Sequence, residues 1–301
     1  MRIVPIKFFL YLIGLILVLQ VAACNLPLVS DVEEEDDEEW TSQLPAESLP
    51  TQEGIPPLHT ATPVDWWQPD VDTTWQWQLG GPIDTSIDAE MYDVDLFETD
   101  ADVVQALKDQ GHAVICYISA GSWEDWRPDA DKFPDEVIGK KYSGWPGEKW
   151  LDIRQIDLLA PILGARLDMC AAKGFAGVEP DNIDAYTNHT GFPLTYADQL
   201  AFNTWLADEA HARGLSIGLK NNSEQVIDLL PYFDWALTED CFDQGWCEEM
   251  LPFIQAGKPV FAAEYTDTGI TLDEFCPQAD ELKISAILKN RDLDAYQEVC
   301  R

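Results

Sequence analysis

Between Gly177 and Asp184 the chain reads Gly-Val-Glu-Pro-Asp-Asn-Ile-Asp, three carboxylates and one amide within six residues, straight after an apolar start. On a strand, side chains alternate between faces, so Glu179 and Asp181 share one face while Val178 turns to the other, into a core. Acid runs are ordinarily solvated surface. This one follows Gly177-Val178 without a polar transition. Carboxylates gathered where a buried strand ends suit a cleft on a barrel scaffold. Cleaving a glycosidic bond needs two carboxyl groups with opposite duties, one protonated and one ionised. Asp181, Asp184, Glu239 and Glu264 qualify, each at the end of a strand-like segment. Serine-triad chemistry is disfavoured, because no GxSxG sits at a strand-to-helix elbow and no histidine lies just after a strand. Neither GxGxxG nor GxxxxGK[ST] occurs, so phosphate-cradling nucleotide sites lack support.

The elements that must position these residues alternate between strand and helix from Trp66 onward. Strand-like segments are expected at Trp75–Leu79, Ala113–Ser119, Trp150–Arg154, Gly177–Asp181, Ser216–Lys220, Asp234–Thr238, Pro259–Ala263 and Leu282–Leu288. Helical spacing covers Asp102–Gln110, Leu158–Cys170 and Tyr196–Arg213, each stopped by a glycine. Eight such repeats in about 240 residues fit a (β/α)8 TIM barrel. A doubly wound sheet has the same alternation but gathers its chemistry at one switch point. Here polar residues follow nearly every strand: Ser119, Asp152 with Arg154, Asp181 with Asn182, Lys220 with Asn221, Glu239 with Asp240, and Glu264 with Tyr265. That distribution favours the barrel. An insert from Ser122 to Lys149 carries Trp123, Trp126, Phe133, Tyr142 and Trp145 among Pro and Gly. Aromatic faces beside a carboxylate cleft suit a sugar groove, although each ring alone could equally pack the insert onto the barrel.

The first 63 residues read differently. Arg2 and Lys7 precede an apolar run from Phe8 to Val21, and Val21-Ala-Ala-Cys24 resembles a bacterial lipobox. The run has the length of a signal core and is short for a membrane span. Residues 1–23 are therefore expected to be a lipoprotein leader, with Cys24 as the lipidated residue holding an exported protein to a bacterial membrane. Residues 24–63 hold an unbroken acid run from Glu33 to Glu39 and a Pro/Ser/Thr-rich stretch, an extended tether that cannot bury enough apolar surface to fold. The folded domain is assigned to 64–301.

With 55 acids against 18 bases the formal charge is −37; up to Pro63 there are ten acids and two bases, which leaves the domain at −29. Such a domain repels nucleic acid and would attract a cationic polymer. Beyond Cys24 six cysteines remain, an even number, which favours disulfides in an oxidising compartment. Cys241 with Cys247 would close a tight loop, and Cys276 with Cys300 would tie down the last helix. With no CxxC pair and four scattered histidines, neither metal nor cofactor is signalled.

Trp123-Glu-Asp-Trp-Arg-Pro128, Gly144-Trp-Pro-Gly147, Trp150-Leu-Asp-Ile-Arg154, Gly177-Val-Glu-Pro-Asp-Asn-Ile-Asp184, Gly218-Leu-Lys-Asn221 and Glu239-Asp-Cys-Phe242 together resemble glycoside hydrolase family 114, from about Trp66 to Arg301. These are TIM-barrel endo-α-1,4-polygalactosaminidases. The resemblance implies a galactosaminoglycan-like polysaccharide as substrate. It implies Asp181 and Glu239 as the catalytic pair, with Asp181 as nucleophile and Glu239 as acid/base. Glu179, Asp184, Lys220, Asn221, Glu264, Tyr117, Asp152 and Trp123 would then serve substrate binding, Lys220 having a structural alternative as the ion-pair partner of Glu179 or Asp181. The competing class is a non-catalytic glycan-binding lipoprotein on the same scaffold. Whether both carboxyls converge in one cleft separates the two.

Overall fold

The computed structural model describes residues 65–300. The expected leader, tether and lipidated Cys24 lie outside the described residues. In chain order the first elements are β1 (Trp75–Gln78), β2 (Met91–Asp95), α1 (Ala101–Asp109), β3 (Ala113–Ser119), β4 (Ser122–Glu124), β5 (Ile138–Lys141), β6 (Glu148–Leu151) and α2 (Ile156–Lys173). They continue with β7 (Gly177–Asp181), α3 (Tyr196–His211), β8 (Ser216–Lys220), α4 (Val226–Leu229), β9 (Trp235–Glu239) and α5 (Leu251–Gln255). The last are β10 (Val260–Tyr265), α6 (Leu272–Leu282), β11 (Ser285–Lys289) and β12 (Gln297–Val299).

Eight of the strands, β1, β2, β3, β7, β8, β9, β10 and β11, pair in that order and run parallel. This is the (β/α)8 barrel expected from the sequence. Its last seam lies between β11 and β1, because β11 spends its outer edge on antiparallel pairing with β12. Side chains span that seam. The Trp75 indole donates to the Ser285 carbonyl at 3.0 Å, the Ser285 hydroxyl donates to the Thr73 carbonyl at 3.1 Å, and Lys289 Nζ donates to Gln76 at 2.9 Å.

One expected strand is withdrawn and one unexpected strand is added, so the count of eight is unchanged. Met91–Asp95 is a barrel strand absent from the expected set, because Met-Tyr-Asp-Val-Asp puts acids where a buried strand would show an apolar run. Its Tyr92 and Val94 face the helices, while Met91 joins the lumen cluster. Alternation thus turns Asp93 and Asp95 inward with Met91. Trp150–Arg154, conversely, is no barrel strand. Glu148–Leu151 is the centre of a three-stranded antiparallel sheet, β4-β6-β5, which organises the aromatic insert. The insert sits against the end of β7 because Gly121 has no side chain; a Cβ there would fall 1.7 Å from the Asn182 carbonyl oxygen.

Apolar side chains divide between two spaces. Trp75, Trp77, Met91, Ile115, Trp235, Leu237, Phe261, Ala263 and Ile287 fill the lumen, while Val114, Cys116, Val178, Ile217 and Leu219 face the helices. Large rings plug the lower lumen, so only the strands' C-terminal ends open to solvent. Three disulfides add ties: Cys116–Cys170 joins β3 to α2, Cys241–Cys247 closes the loop after β9, and Cys276–Cys300 fixes α6 to the chain end. The last two are the pairs expected from the sequence.

Candidate active site

The two-residue period of the strands brings every second side chain into the lumen, in tiers. Glu179 on β7 lies in the middle tier and Asp181 two residues on at the mouth. Lys220 ends β8 and Glu239 ends β9. Each of these three strands is followed by a residue with positive φ: Asn182 at 63°, Asn221 at 53° and Asp240 at 53°. Asn and Asp tolerate that left-handed geometry better than other side-chain-bearing residues, and it turns the chain sharply off the strand. The acid–amide pairs noticed in the sequence are, in part, this turn.

Lys220 is the hub. Its ammonium lies 2.7 Å from Glu179 Oε1, 3.1 Å from Asp181 Oδ1 and 3.2 Å from Glu239 Oε2, and 4.5 Å from the centre of the Trp77 ring. Two oxygens that touch one nitrogen can be no farther apart than the sum of those contacts, so Asp181 Oδ1 and Glu239 Oε2 lie within about 6.3 Å. Burial works against the ammonium, but the charges of Asp181, Glu179 and Glu239 outweigh it and hold Lys220 well above its ordinary pKa. It is a permanent cation.

Each mouth carboxylate has its own donors. Tyr117 donates to Asp181 Oδ2 at 2.9 Å, and the Asn182 backbone N–H to Oδ1 at 2.9 Å. Tyr265 donates to Glu239 Oε1 and Asn221 to Oε2 at 2.9 Å. Burial raises Glu239, but Lys220, Tyr265 and Asn221 together bring it below the ordinary glutamate value. A glutamate serving as acid near neutral pH would need the opposite shift; in the free protein Glu239 is held ionised. Burial and the neighbouring carboxylates push Tyr117 and Tyr265 well up, so both stay protonated donors.

Beneath this layer Glu179 hydrogen-bonds Asp93, and both are fully buried. Apart from each other, Asp93 and Glu179 Oε2 find no donor among the described residues. Two carboxyls in contact without donors must share a proton. Burial and the charge of Glu179 push Asp93 well up, and burial raises Glu179 to about 7 against the pull of Lys220.

The mouth is a cleft of about 730 Å³. Of the residues expected to bind substrate, Tyr117, Asp184, Lys220 and Asn221 line it together with Asp181 and Glu239. Four others do not. Glu179 lies below, wholly buried against Lys220. Asp152 forks onto Arg154 with contacts of 2.7 Å, a turn beside the insert rather than a strand end. Trp123 spends its indole N–H on the Ala130 carbonyl and its face on Lys149. Glu264 points out of the lumen and accepts the backbone N–H groups of Phe242 at 2.8 Å and Asp243 at 3.1 Å, bracing the loop after Glu239. The same alternation that places Asp181 on β7 identifies Tyr265, not Glu264, as the mouth residue of β10. Trp77, Asp95, Glu148 and Arg291 line the cleft without having been singled out by sequence, whereas Trp126, Tyr142 and Trp145 of the insert line it as its aromatic content suggested, Trp126 and Trp145 standing about half exposed.

An acid-lined mouth on a (β/α)8 barrel, with two carboxylates converging on one cation, is the architecture of barrel glycosidases. Residues 57–301 match glycoside-hydrolase family GH114, and the chain belongs to that family and is a glycoside hydrolase. The crystal structure of Aspergillus fumigatus Ega3 in complex with galactosamine superposes with a TM-score of 0.75 at 42% identity, covering 78% of this chain and 97% of that one. The glycoside hydrolase domain of PelA from Pseudomonas aeruginosa shares the fold, with a TM-score of 0.59 at 15% identity over 75% of this chain and 97% of that one. An uncharacterised protein of Deinococcus radiodurans is 28% identical over 258 residues, 73% of this chain and 81% of its own.

Proposed function

We propose that this glycoside hydrolase cleaves an α-1,4-linked, galactosamine-containing polysaccharide, with Asp181 and Glu239 as the reacting carboxyls. The observation that carries the reading is their convergence on Lys220 across the barrel mouth. The 42% identity to a protein crystallised with galactosamine supports the sugar, and the acidic cleft suits an amino sugar. An oxygen separation of at most about 6.3 Å falls short of the 6.5–9.5 Å that admits a water between inverting carboxyls and leaves room for the 5–5.5 Å of retaining ones. In the retaining course one carboxylate attacks the anomeric carbon while the other protonates the departing oxygen, then activates the water that releases the sugar. Following the family pattern, Asp181 attacks and Glu239 is the acid/base. Glu239 must then gain its proton when substrate displaces Lys220 from it and excludes water.

The leader and tether complete the reading: an exported enzyme, lipidated at Cys24 and held off a bacterial membrane. Mass spectrometry of membrane-extracted protein should show a diacylglyceryl cysteine at that residue.

Incubation with partially deacetylated galactosaminoglycan should release new reducing ends. Asp181→Asn and Glu239→Gln should each lower kcat by about 10²–10⁴-fold with folding intact. Full turnover by either variant would refute the pair. Azide added to Glu239→Ala should yield a glycosyl azide of retained configuration; an inverted product would exchange the two roles.

A further inference from the structure

Asp93 and Glu179 take no part in the proposed bond cleavage, yet they fill the tier directly beneath it, wholly buried. Glu179 Oε1 makes the shortest of the three Lys220 contacts, 2.7 Å against 3.1 Å for Asp181 and 3.2 Å for Glu239. Trp77 stands opposite Asp93 in the β1–β2 register, but its indole N–H reaches no acceptor, so it does not replace the proton the two carboxyls share. Facing the pair are Lys220 from β8 and Asp181 from β7. Beyond Lys220 lie Glu239 from β9 and Tyr265 from β10, and Tyr117 from β3 is bonded to Asp181. Arg127 is spent on Asp95 and Glu124, and Lys289 from β11 on Gln76 and the Asp294 carbonyl at the seam. Lys220 is the cation that touches this tier.

With one proton between them the two carboxyls carry a single negative charge, equal and opposite to that of Lys220. Burial keeps the proton there, because two bare carboxylates in contact would have neither water nor donors. The tier is then neutral, and Asp181 and Glu239 meet above it as like charges, an arrangement that favours a proton on one of them. Were Glu179 neutral, the whole charge of the ammonium would fall on Asp181 and Glu239 and hold both ionised.

We propose that Glu179, with Asp93 sharing its proton, is a positioning residue that keeps the Lys220 ammonium down in the lumen when substrate separates it from Glu239, so that Glu239 recovers the proton it donates. This rests on the catalytic pair proposed above. The 2.7 Å contact supplies the hold, and the shared proton keeps the pair at one charge. Glu179 is buried beneath the mouth and acts through Lys220.

The experiment is the pH profile of kcat on partially deacetylated galactosaminoglycan, whose own amines titrate alike for every variant. A catalytic acid is lost as pH rises, so the alkaline limb reports the Glu239 proton. Glu179→Gln should move that limb to lower pH by at least about one pH unit, a tenfold loss of proton affinity. Asp93→Asn keeps an N–H for Glu179 and should leave the limb in place. Should thermal unfolding show Glu179→Gln unfolded, the double variant Asp93→Asn/Glu179→Gln, whose amides can pair, should give the same shift. In the free protein the carbon-13 carboxyl signal of Glu239 should titrate at lower pH in the Glu179 variants, a readout that needs no turnover. A limb and a Glu239 titration that stay put, with kcat lowered alike at every pH, overturn the assignment in favour of a merely structural role. A shift in Asp93→Asn as large as in Glu179→Gln overturns the shared proton, and the assignment with it. A wild type that cleaves no galactosaminoglycan overturns the proposed activity, and the Glu239 titration then decides this inference alone.

Discussion

Lys220 keeps its charge in a buried tier because three carboxylates surround it, and those carboxylates keep a fixed geometry because one cation holds them. Removing one partner of a buried ion pair leaves the others uncompensated, at a cost of about 3–5 kcal/mol. Lys220→Met should therefore lower the stability read from urea unfolding by about that amount. It should also abolish turnover, because Asp181 and Glu239 would repel each other. A variant with wild-type stability would show that the ammonium is not the hub. At this scale the sequence was a partial guide. Asp181, Glu239, Lys220 and Asn221 were legible, because a polar side chain that ends an apolar run contributes little to packing there. Asp93 was not. It lies mid-strand, where an acid argues against burial unless its partner, 86 positions further along the chain, is already known.

The elements were legible in number but not in identity. Helices α2 and α3 declared themselves by periodicity and by the glycines at their ends; α3 also opens on a capping box between Thr195 and Asp198. The barrel strand Met91–Asp95 hid because its lumen side is acidic. The insert strand Glu148–Leu151 posed as a barrel strand because apolar periodicity does not report which sheet a strand joins. That error placed Asp152 at the mouth and kept Glu148 out of view. Glu264 shows how one residue of register changes a role. On β10 it faces away from the cleft and carries the loop that follows Glu239. Glu264→Gln should leave one of the two loop N–H groups without an acceptor and cost about 1–3 kcal/mol. The measurement is denaturant unfolding together with substrate preference; a changed preference with unchanged stability would return Glu264 to the binding site.

Across the whole molecule, burial raises several acids at once: Glu148, Glu179 and Glu264 to about 7, and Asp184 to about 6. Between the ordinary carboxyl values and these raised ones, the folded chain binds more protons than the unfolded chain. Its stability therefore falls as pH rises through that window. The lowered acids, such as Glu239 and Asp129, act in the opposite sense but only below the ordinary range. A formal charge of −37 adds self-repulsion as the remaining acids ionise. The melting temperature should be higher at pH 5 than at pH 8, and Glu148→Gln should flatten the difference. The reverse order would mean that the buried acids are ionised in the fold.

The described chain enters through the floor of the barrel. Trp66 and Gln68 both donate to Asp234, at 3.0 and 3.3 Å, and Asp234 immediately precedes β9. All eight parallel strands start at that end and finish at the mouth, so the entry point and the cleft lie on opposite faces. A protein coupled to a bead or sensor surface through its N-terminal side should consequently work at close to its solution rate, even on polymers too large to diffuse beneath it. Coupling through Lys140 or Lys141 on β5, in the sheet that borders the cleft, should slow long polymers more than short oligomers. Immobilisation thus becomes a ruler for which way the mouth faces.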